Sequence, residues 1–190
     1  MNILVTVAHP REKSLTFSLM HALLRGLTDA GHTTEVLDLY RSDFSQVLKE
    51  GDEPAWNQEN QTYSRKVEEE MQRMNRHDAL VYVFPLWWWS MPAMLKGYID
   101  RVWNYGYAYG PSRLPHQRVL WLTIAGAPRE RFEKRHYDRM MEHYFNVGLA
   151  NYVGICESQF HLLVQGIDPS AEHVDHLLQE AYDQGRNFDS

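Results

Sequence analysis

The chain has 190 residues, enough for one well-buried core, and its 44% hydrophobic and 23% charged residues are ordinary for a globular protein. A net charge of -6 and a lone basic cluster, Arg129 to Arg139, interleaved with acidic residues, argue against nucleic-acid binding. The single cysteine excludes an internal disulfide, and no apolar stretch approaches the roughly 18 residues of a bilayer span.

These limits predict a single domain over residues 1–190. Because no signal peptide is apparent and no membrane insertion is expected, the predicted location is cytoplasmic. Cys156 lies in the apolar run VGICES, and we expect it to be a small buried residue.

The first part of the chain alternates strand and helix. Asn2 to Ala8 is a continuous apolar run, which predicts a central strand covered on both faces. Leucines at helical spacing between positions 19 and 27 predict a helix, with Ser14 or Thr16 as its cap and Gly31 at its end. Thr33 to Tyr40 alternates as a less buried strand does.

The middle of the chain begins with a long polar stretch. Arg41 to Tyr63 has no periodicity, which is typical of a functional or a disordered loop. Ser64 to Arg76 is predicted to be helical, and Ala79 to Pro85 is predicted to be a buried strand. Apolar residues three and four apart from Leu95 to Trp103 predict a helix whose start is favoured by Pro92.

The last part continues the alternation. Val119 to Ala125 is the fourth predicted strand, Phe132 to Val147 the fourth helix, Tyr152 to Val164 contains the fifth strand, and Pro169 to Arg186 is the final helix. Five strands alternating with helices predict an α/β, doubly wound, five-stranded parallel sheet with helices on both faces. The strand order 2-1-3-4-5 fits this pattern.

In that order the switch point lies between strands one and three, where ligands bind in such sheets. The loops that follow these strands are His9 to Thr16 and Leu86 to Met91. The sequence therefore predicts that both loops meet at one crevice.

The first of these loops has the chemistry of a phosphate site. It has no glycine, so it is neither a Walker A loop nor a G-x-G-x-x-G turn. It offers the Ser14 and Thr16 hydroxyls, backbone N–H groups at a helix N-terminus, and His9 or Arg11 as positive donors.

The second loop contains three consecutive tryptophans, Trp87, Trp88 and Trp89. Neighbouring side chains on a strand point to opposite faces, and only residues three or four apart share a helix face. At least one of the three indoles is therefore expected to meet solvent or a ligand.

The loop after strand four adds small residues, Gly126 and Ala127, which let the backbone approach a ligand closely. Phosphate donors, aromatic walls and close backbone together suit a flavin, for which the protein supplies binding and electrostatics.

Four segments carry a family resemblance: AHPREKSLTFS, DLY, FPLWWWSMPAMLKGYIDRVW and GYAYG. They resemble the flavodoxin-like NAD(P)H:quinone oxidoreductases of the DT-diaphorase type, over residues 2 to about 136. The resemblance implies a flavodoxin-like fold, bound FAD (with FMN as the alternative) and a homodimer. It also implies ping-pong hydride transfer from NAD(P)H to a quinone or similar acceptor.

The resemblance also implies which residues contact the flavin. Trp87 replaces a glutamine of the mammalian enzymes, and Ile124 to Ala127 replace T-T-G-G, so backbone contacts persist without threonine hydroxyls. The matching positions are His9, Ser14, Leu15, Thr16, Pro85, Leu86, Trp87, Trp88, Trp89, Ala125, Gly126 and Ala127.

The family's catalytic tyrosine and histidine are replaced here. Phe132 stands at the tyrosine position and cannot donate a hydrogen bond, while Asp138 stands at the histidine position. Either His136, two residues before Asp138, serves at the catalytic site beside Phe132, or backbone N–H donors act alone and the enzyme is slower, or its acceptor differs. No metal is expected, because His173 and His176 lie on a polar terminal helix.

Other functions stay open on the sequence. One alternative is an ancillary regulatory subunit of a potassium-efflux system, which implies peripheral association with a transporter. Nitro or azo reduction and flavodoxin-like electron transfer are further alternatives. Tyr105, Tyr107 and Tyr109 alternate in an aromatic loop, which is either a lid over the partner subunit's ring or a loop core.

Overall fold

The computed structural model describes residues 1–56 and 61–190. Its strands are β1 (Asn2–Val7), β2 (Thr33–Asp38), β3 (Ala79–Pro85), β4 (Arg118–Ile124) and β5 (Glu157–Leu163). Its helices are α1 (Leu15–Asp29), α2 (Arg65–Asn75), α3 (Ala93–Val102), α4 (Arg129–Glu133), α5 (Tyr137–His143) and α6 (Ala171–Arg186). A 3₁₀ turn at Glu50–Asp52 and a π-helical segment at Tyr144–Asn151 complete the fold.

The strands form one parallel sheet in the order β2-β1-β3-β4-β5, which confirms the predicted topology. The pairing keeps the carboxyl ends level: Val7 faces Val83, Pro85 faces Ile124, and Ile124 faces Leu163. The loops after β1, β3, β4 and β5 consequently emerge at one edge of the sheet.

Each face of the sheet has its own apolar core. Alternate residues of a strand point to opposite faces, so Ile3 and Val5 pack with α1 and α6, while Leu4 packs with α2 and α3. The second core is rich in aromatic rings, and Tyr82 stacks on Trp121 with ring centroids 4.8 Å apart.

Helices α1 and α6 touch backbone to backbone. A Cβ atom at Gly26 would clash with the Tyr182 carbonyl oxygen, and one at Gly185 would clash with the Leu23 carbonyl oxygen. The absence of side chains at these two positions therefore sets the distance between the helices.

Two expectations about the C-terminal half are wrong. The helix expected over Phe132 to Val147 is broken at His136, whose φ of 56° lies in the left-handed region. Histidine is among the side chains enriched there, so no glycine or proline marks the break. Cys156 is exposed instead of buried, because Ile155 takes the buried position just before the edge strand β5.

The polar stretch from Arg41 to Tyr63 is tied to α3, although its positions 57–60 lie outside the described residues. Asp52 accepts from the Arg101 guanidinium and from the amide and hydroxyl of Ser64, and both partners of the ion pair are buried. Burial alone would raise the pKa of the Asp52 carboxyl, but the hydrogen bonds from Ser64 and Arg101 outweigh it and lower that pKa.

Removing one partner of this ion pair should destabilise the folded protein strongly. Arg101→Met leaves a buried carboxylate without its counter-charge, so we expect a loss of about 3–5 kcal/mol in the free energy of unfolding. Urea denaturation at pH 7 measures it. Lys96→Met on the same helix removes only the exposed pair with Asp100, so it should cost less than about 1 kcal/mol.

The double variant Asp52→Asn/Arg101→Met removes the charge from both sides. It should recover part of the loss. Equal stability of Arg101→Met and Lys96→Met would contradict the role assigned to the buried pair.

Candidate functional site

A cavity of about 290 Å³ opens at the carboxyl edge of the sheet. It lies between the loops that follow β1, β3, β4 and β5, and its size is near the lower end of ligand pockets, roughly 300–1,000 Å³. Its lining residues are His9, Arg11, Ser14, Leu15, Thr16, Pro85, Leu86, Trp87, Ile124, Ala125, Gly126, Gly166 and Ile167.

The N-terminus of α1 forms one side of the cavity. Ser14 caps the helix by accepting from the Phe17 amide at 3.4 Å. The N–H groups of Leu15 and Thr16 stand at the first two helical positions, where no intrahelical acceptor exists. The helix dipole adds positive potential at this point, so the side facing Ser14 to Thr16 is suited to an anion.

Thr16 lines the cavity, although its residue as a whole is buried. Within residues 1–56 and 61–190 no group forms a hydrogen bond with its hydroxyl. That hydroxyl is therefore available to a ligand oxygen.

His9 lines the cavity and is largely buried. Its Nδ1 is 3.0 Å from the Arg11 carbonyl oxygen and 3.1 Å from the Arg11 amide nitrogen, and these contacts orient the ring. Burial lowers the pKa of His9, the charges of Arg11 and Arg41 lower it further, and the hydrogen bond with Arg11 opposes them. Burial therefore favours the neutral form of the His9 ring.

The three tryptophans form a tight turn. The Trp87 amide donates to the Ser90 carbonyl at 3.0 Å, and the Ser90 amide donates back to the Trp87 carbonyl at 3.1 Å. Trp88 and Trp89, at the centre, have φ angles of 52° and 61°. Positive φ at both central residues is the pattern of a type I′ turn, which asparagine and glycine normally occupy.

This turn holds the indoles outward, as the sequence predicts. Trp88 is 94% exposed, Trp87 42% and Trp89 38%. Trp87 reaches the cavity, with its ring centroid 6.4 Å from that of His9, whereas Trp88 and Trp89 are outside its lining. Left-handed backbone at bulky residues costs about 1–3 kcal/mol each and clusters at functional sites.

The predicted catalytic residues, Phe132 and His136, lie outside the lining of the cavity. Phe132 is buried, and its ring meets Trp89 edge-on at 5.6 Å. His136 is exposed, occupies the break between α4 and α5, and does not line the cavity. Tyr137, which the sequence did not single out, stacks on Trp89 with ring centroids 4.1 Å apart.

The loop after β4 presents bare backbone. Among the described residues, none accepts a hydrogen bond from the N–H of Gly126 or Ala127. A Cβ atom at Gly126 would meet the end of the exposed Ile167 side chain, which would have to move aside. The Gly126 N–H group is therefore a free donor on a residue that lines the cavity, and the Ala127 N–H group is a second free donor next to it in the chain.

The loop after β5 also reaches the cavity, which the sequence reasoning missed. The Gly166 amide donates to the Ala125 carbonyl at 2.9 Å, and the Gln165 amide donates to the Ala127 carbonyl at 3.1 Å. Ile167 is 73% exposed beside Gly126. The position of Gly166 after the fifth predicted strand was the available signal.

The tyrosines of the aromatic loop after α3 have two different environments. The Tyr107 hydroxyl donates to the Met71 carbonyl at 3.1 Å, so this residue packs inward on α2. Tyr105 and Tyr109 contact Trp56, and Tyr109 also contacts Tyr152. We call Trp56, Tyr105, Tyr109 and Tyr152 the aromatic patch.

None of the helices in the described part of the chain has the length and apolar character that crossing a bilayer requires.

Comparisons with known proteins agree with this geometry. The family model described as Flavodoxin-like fold matches residues 1–187. An uncharacterised NAD(P)H oxidoreductase of Escherichia coli, YcaK, is 37% identical over 182 residues, covering 93% of this chain and 92% of the relative. The structure of an NAD(P)H:quinone oxidoreductase from Methanothermobacter marburgensis has a TM-score of 0.88 and 32% identity, and covers 100% of this chain and 98% of that one.

A more distant relative is the ribosyldihydronicotinamide dehydrogenase [quinone] of Rattus norvegicus, which is 30% identical over 122 residues. The match covers 56% of this chain and 53% of the rat enzyme.

Relieving the backbone at the tip of the turn should stabilise the protein without ligand. Asparagine tolerates the left-handed region, and Trp88 buries almost nothing, so Trp88→Asn should raise the free energy of unfolding by about 1 kcal/mol. Thermal or urea unfolding measures it. Trp87→Asn is the matched control, because Trp87 lies outside the left-handed region; the interpretation fails if both variants behave alike.

Burial of His9 should make stability sensitive to acid. With its folded pKa below the ordinary 6.5, the unfolded chain takes up a proton that the folded protein refuses as the pH falls below 6.5. Unfolding free energy should therefore drop more from pH 7.5 to 5.5 in wild type than in His9→Asn. His21→Asn, an exposed change on α1, should leave the wild-type dependence intact; a His9→Asn profile parallel to wild type would contradict the argument.

Proposed function

This chain belongs to the family of proteins with the flavodoxin-like fold, and on that basis we propose that it is a flavin-dependent NAD(P)H:quinone oxidoreductase. The relatives named as NAD(P)H oxidoreductases and quinone reductases support an enzyme of this type. The reaction proposed is NAD(P)H plus H⁺ plus quinone giving NAD(P)⁺ plus hydroquinone.

One observation carries the proposal: a helix N-terminus, a bare backbone edge and an aromatic turn meet in the same cavity. An anion site alone would suit many ligands. Its combination with unpaired N–H groups at Gly126 and Ala127 suits a molecule with a phosphate at one end and a flat, hydrogen-bonding ring at the other.

The residues of the first loop would bind the phosphate. The N–H groups of Leu15 and Thr16 and the Thr16 hydroxyl act as donors, and Arg11 supplies positive charge at the rim. His9, which also lines the cavity, would contribute a polar contact. Ser14 acts through the helix, because its cap keeps the first turn in place.

The residues of the loops after β3 and β4 would orient the ring. Pro85, Leu86 and Trp87 line the cavity from the loop after β3, and Ala125 and Gly126 line it from the loop after β4, while the neighbouring Ala127 lies outside the lining. A flavin bound there would supply the hydride chemistry between NAD(P)H and the acceptor, and we propose that the two substrates react in ping-pong order. The N–H groups of Gly126 and Ala127 would stabilise negative charge at the ring edge, as in other anion-stabilising sites.

The catalytic role of His136 and the place of Phe132 beside it stay predictions. Phe132 contributes packing under Trp89 and no proton. His136 is exposed and next to that packing, so it would need to turn inward to reach a substrate. Substituting His136 by glutamine and following the pH profile of turnover tests that role.

We propose FAD as the flavin, with FMN as the alternative, on the resemblance of the segment from Phe84 to Trp103 to the quinone reductases. Chromatography of the flavin released by heat distinguishes the two.

A homodimer is also proposed. The aromatic patch exposes large rings at the surface, including Trp56 at 64%, and exposed apolar patches often mark interfaces. Light scattering on the purified protein gives the oligomeric state directly.

The function has a direct test in the purified protein. We expect a yellow protein whose visible absorbance bleaches with NADPH in the absence of oxygen and returns when a quinone is added. A colourless protein that rejects both FAD and FMN would sink the proposal, and stoichiometric capture on a membrane transporter would then favour a regulatory role.

Thr16→Val tests the phosphate side of the cavity. It removes a hydroxyl expected to donate to a charged oxygen, so flavin affinity should fall by about tenfold or more. Titration of apoprotein with flavin, followed by fluorescence, gives Kd. Thr28→Val at the far end of the same helix removes an exposed hydroxyl bonded to the Leu24 carbonyl and should leave Kd unchanged.

A further inference from the structure

Trp89 is held by two aromatic side chains from the region between β4 and β5. Tyr137 covers one face of the indole at a centroid distance of 4.1 Å and an interplanar angle of 27°. Phe132 meets the same indole edge-on at 5.6 Å and 81°. The orientation of Trp89 therefore depends on these two contacts.

A left-handed backbone residue lies at or next to each of the two stacked rings, Trp89 and Tyr137. Trp89 has a φ of 61° in the turn, and His136, the residue before Tyr137, has a φ of 56°. The break at His136 makes Tyr137 the first residue of α5 instead of an inner residue of one long helix. Two left-handed residues from distant parts of the chain thus serve the same ring contact.

The stack leaves part of Trp89 open. The indole remains 38% exposed although Tyr137 covers one face and Phe132 an edge. Trp89 is outside the lining of the cavity that Trp87 reaches. It belongs to the same tight turn as Trp87, closed by the hydrogen bonds between Trp87 and Ser90, so its open surface is within that turn's reach of the cavity and accessible to a second flat molecule.

The Tyr137 hydroxyl does not hold Tyr137 against Trp89. Within the described ranges it forms no hydrogen bond to the protein, so the ring, and not the hydroxyl, makes the contact that holds Tyr137. A phenylalanine would keep that contact, whereas an aliphatic side chain would lose it.

We propose that Tyr137 is a positioning residue for the oxidising substrate: by stacking on Trp89 it fixes that indole as a platform for a planar quinone. The inference rests on the proposed function and names the structural basis of acceptor choice. An acceptor without a flat face does not use the platform and does not depend on Tyr137.

The test compares Tyr137→Leu with Tyr137→Phe in the flavin-loaded protein. With a planar naphthoquinone as acceptor, Tyr137→Leu should raise KM by about fivefold or more at nearly unchanged kcat, and Tyr137→Phe should restore the wild-type KM. With ferricyanide, which has no planar face, all three proteins should turn over alike. Tyr182→Phe, on α6, is a control for the loss of a tyrosine hydroxyl elsewhere.

A second readout does not depend on turnover. Calorimetric titration of naphthoquinone into the oxidised flavoprotein should give a Kd that weakens in Tyr137→Leu and recovers in Tyr137→Phe. Near-ultraviolet circular dichroism should show the aromatic signal of the stack reduced in Tyr137→Leu alone.

Several results would overturn the inference. These are a Tyr137→Leu protein with wild-type KM and Kd for the quinone, a Tyr137→Phe protein as impaired as Tyr137→Leu, and an equal loss with ferricyanide. Failure of the proposed function itself is distinguishable, because the wild-type protein would then turn over neither acceptor.

Discussion

All contributions to the cavity depend on the level, parallel pairing of β1, β3, β4 and β5. Hydrogen bonding in this register brings residues that are far apart in the chain, such as Thr16, Trp87 and Gly126, to one edge of the sheet. Two buried cores, one on each face, hold the sheet. The packed sheet stabilises its loops in backbone conformations that would be unfavourable in an isolated peptide.

The tryptophan turn shows what that support makes possible. A type I′ turn with two central tryptophans is a poor local choice, since neither residue has the freedom of glycine. It persists because β3 enters it from a fully buried strand, α3 follows it, and Phe132 and Tyr137 pack against Trp89. The local backbone preference of tryptophan therefore disfavours this turn, while tertiary packing stabilises it. Such a conflict is expected at functional sites.

The predictable part of the molecule was the part with strong periodicity. Asn2 to Ala8 and Ala79 to Pro85 are continuous apolar runs, so they indicated the central strands and hence the edge where Ser14 and Trp87 meet. The break at His136 and the position of Ile167 beside Gly126 depend on backbone angles and on contacts distant in sequence, and neither can be recognised from a hydrophobic pattern. The pairing of Asp52 with Arg101 joins residues 49 apart in the chain, and Asp52 belongs to a stretch without periodicity. The apolar neighbours of Cys156 predict a buried residue, whereas Cys156 is exposed just before the edge strand of the sheet.

The close contact between α1 and α6 has a consequence for the far end of α1. Gly26 lies eleven residues from Leu15, or about 16 Å along a rigid helix. A methyl group at position 26 would push α1 away from α6 and act as a lever on the turn that carries Leu15 and Thr16. Gly26 and Gly185 take no part in any chemistry, yet they determine the position of the N-terminus of α1, where an anion would bind. Substitutions at this helix contact can therefore disable the site although every residue that lines it is unchanged.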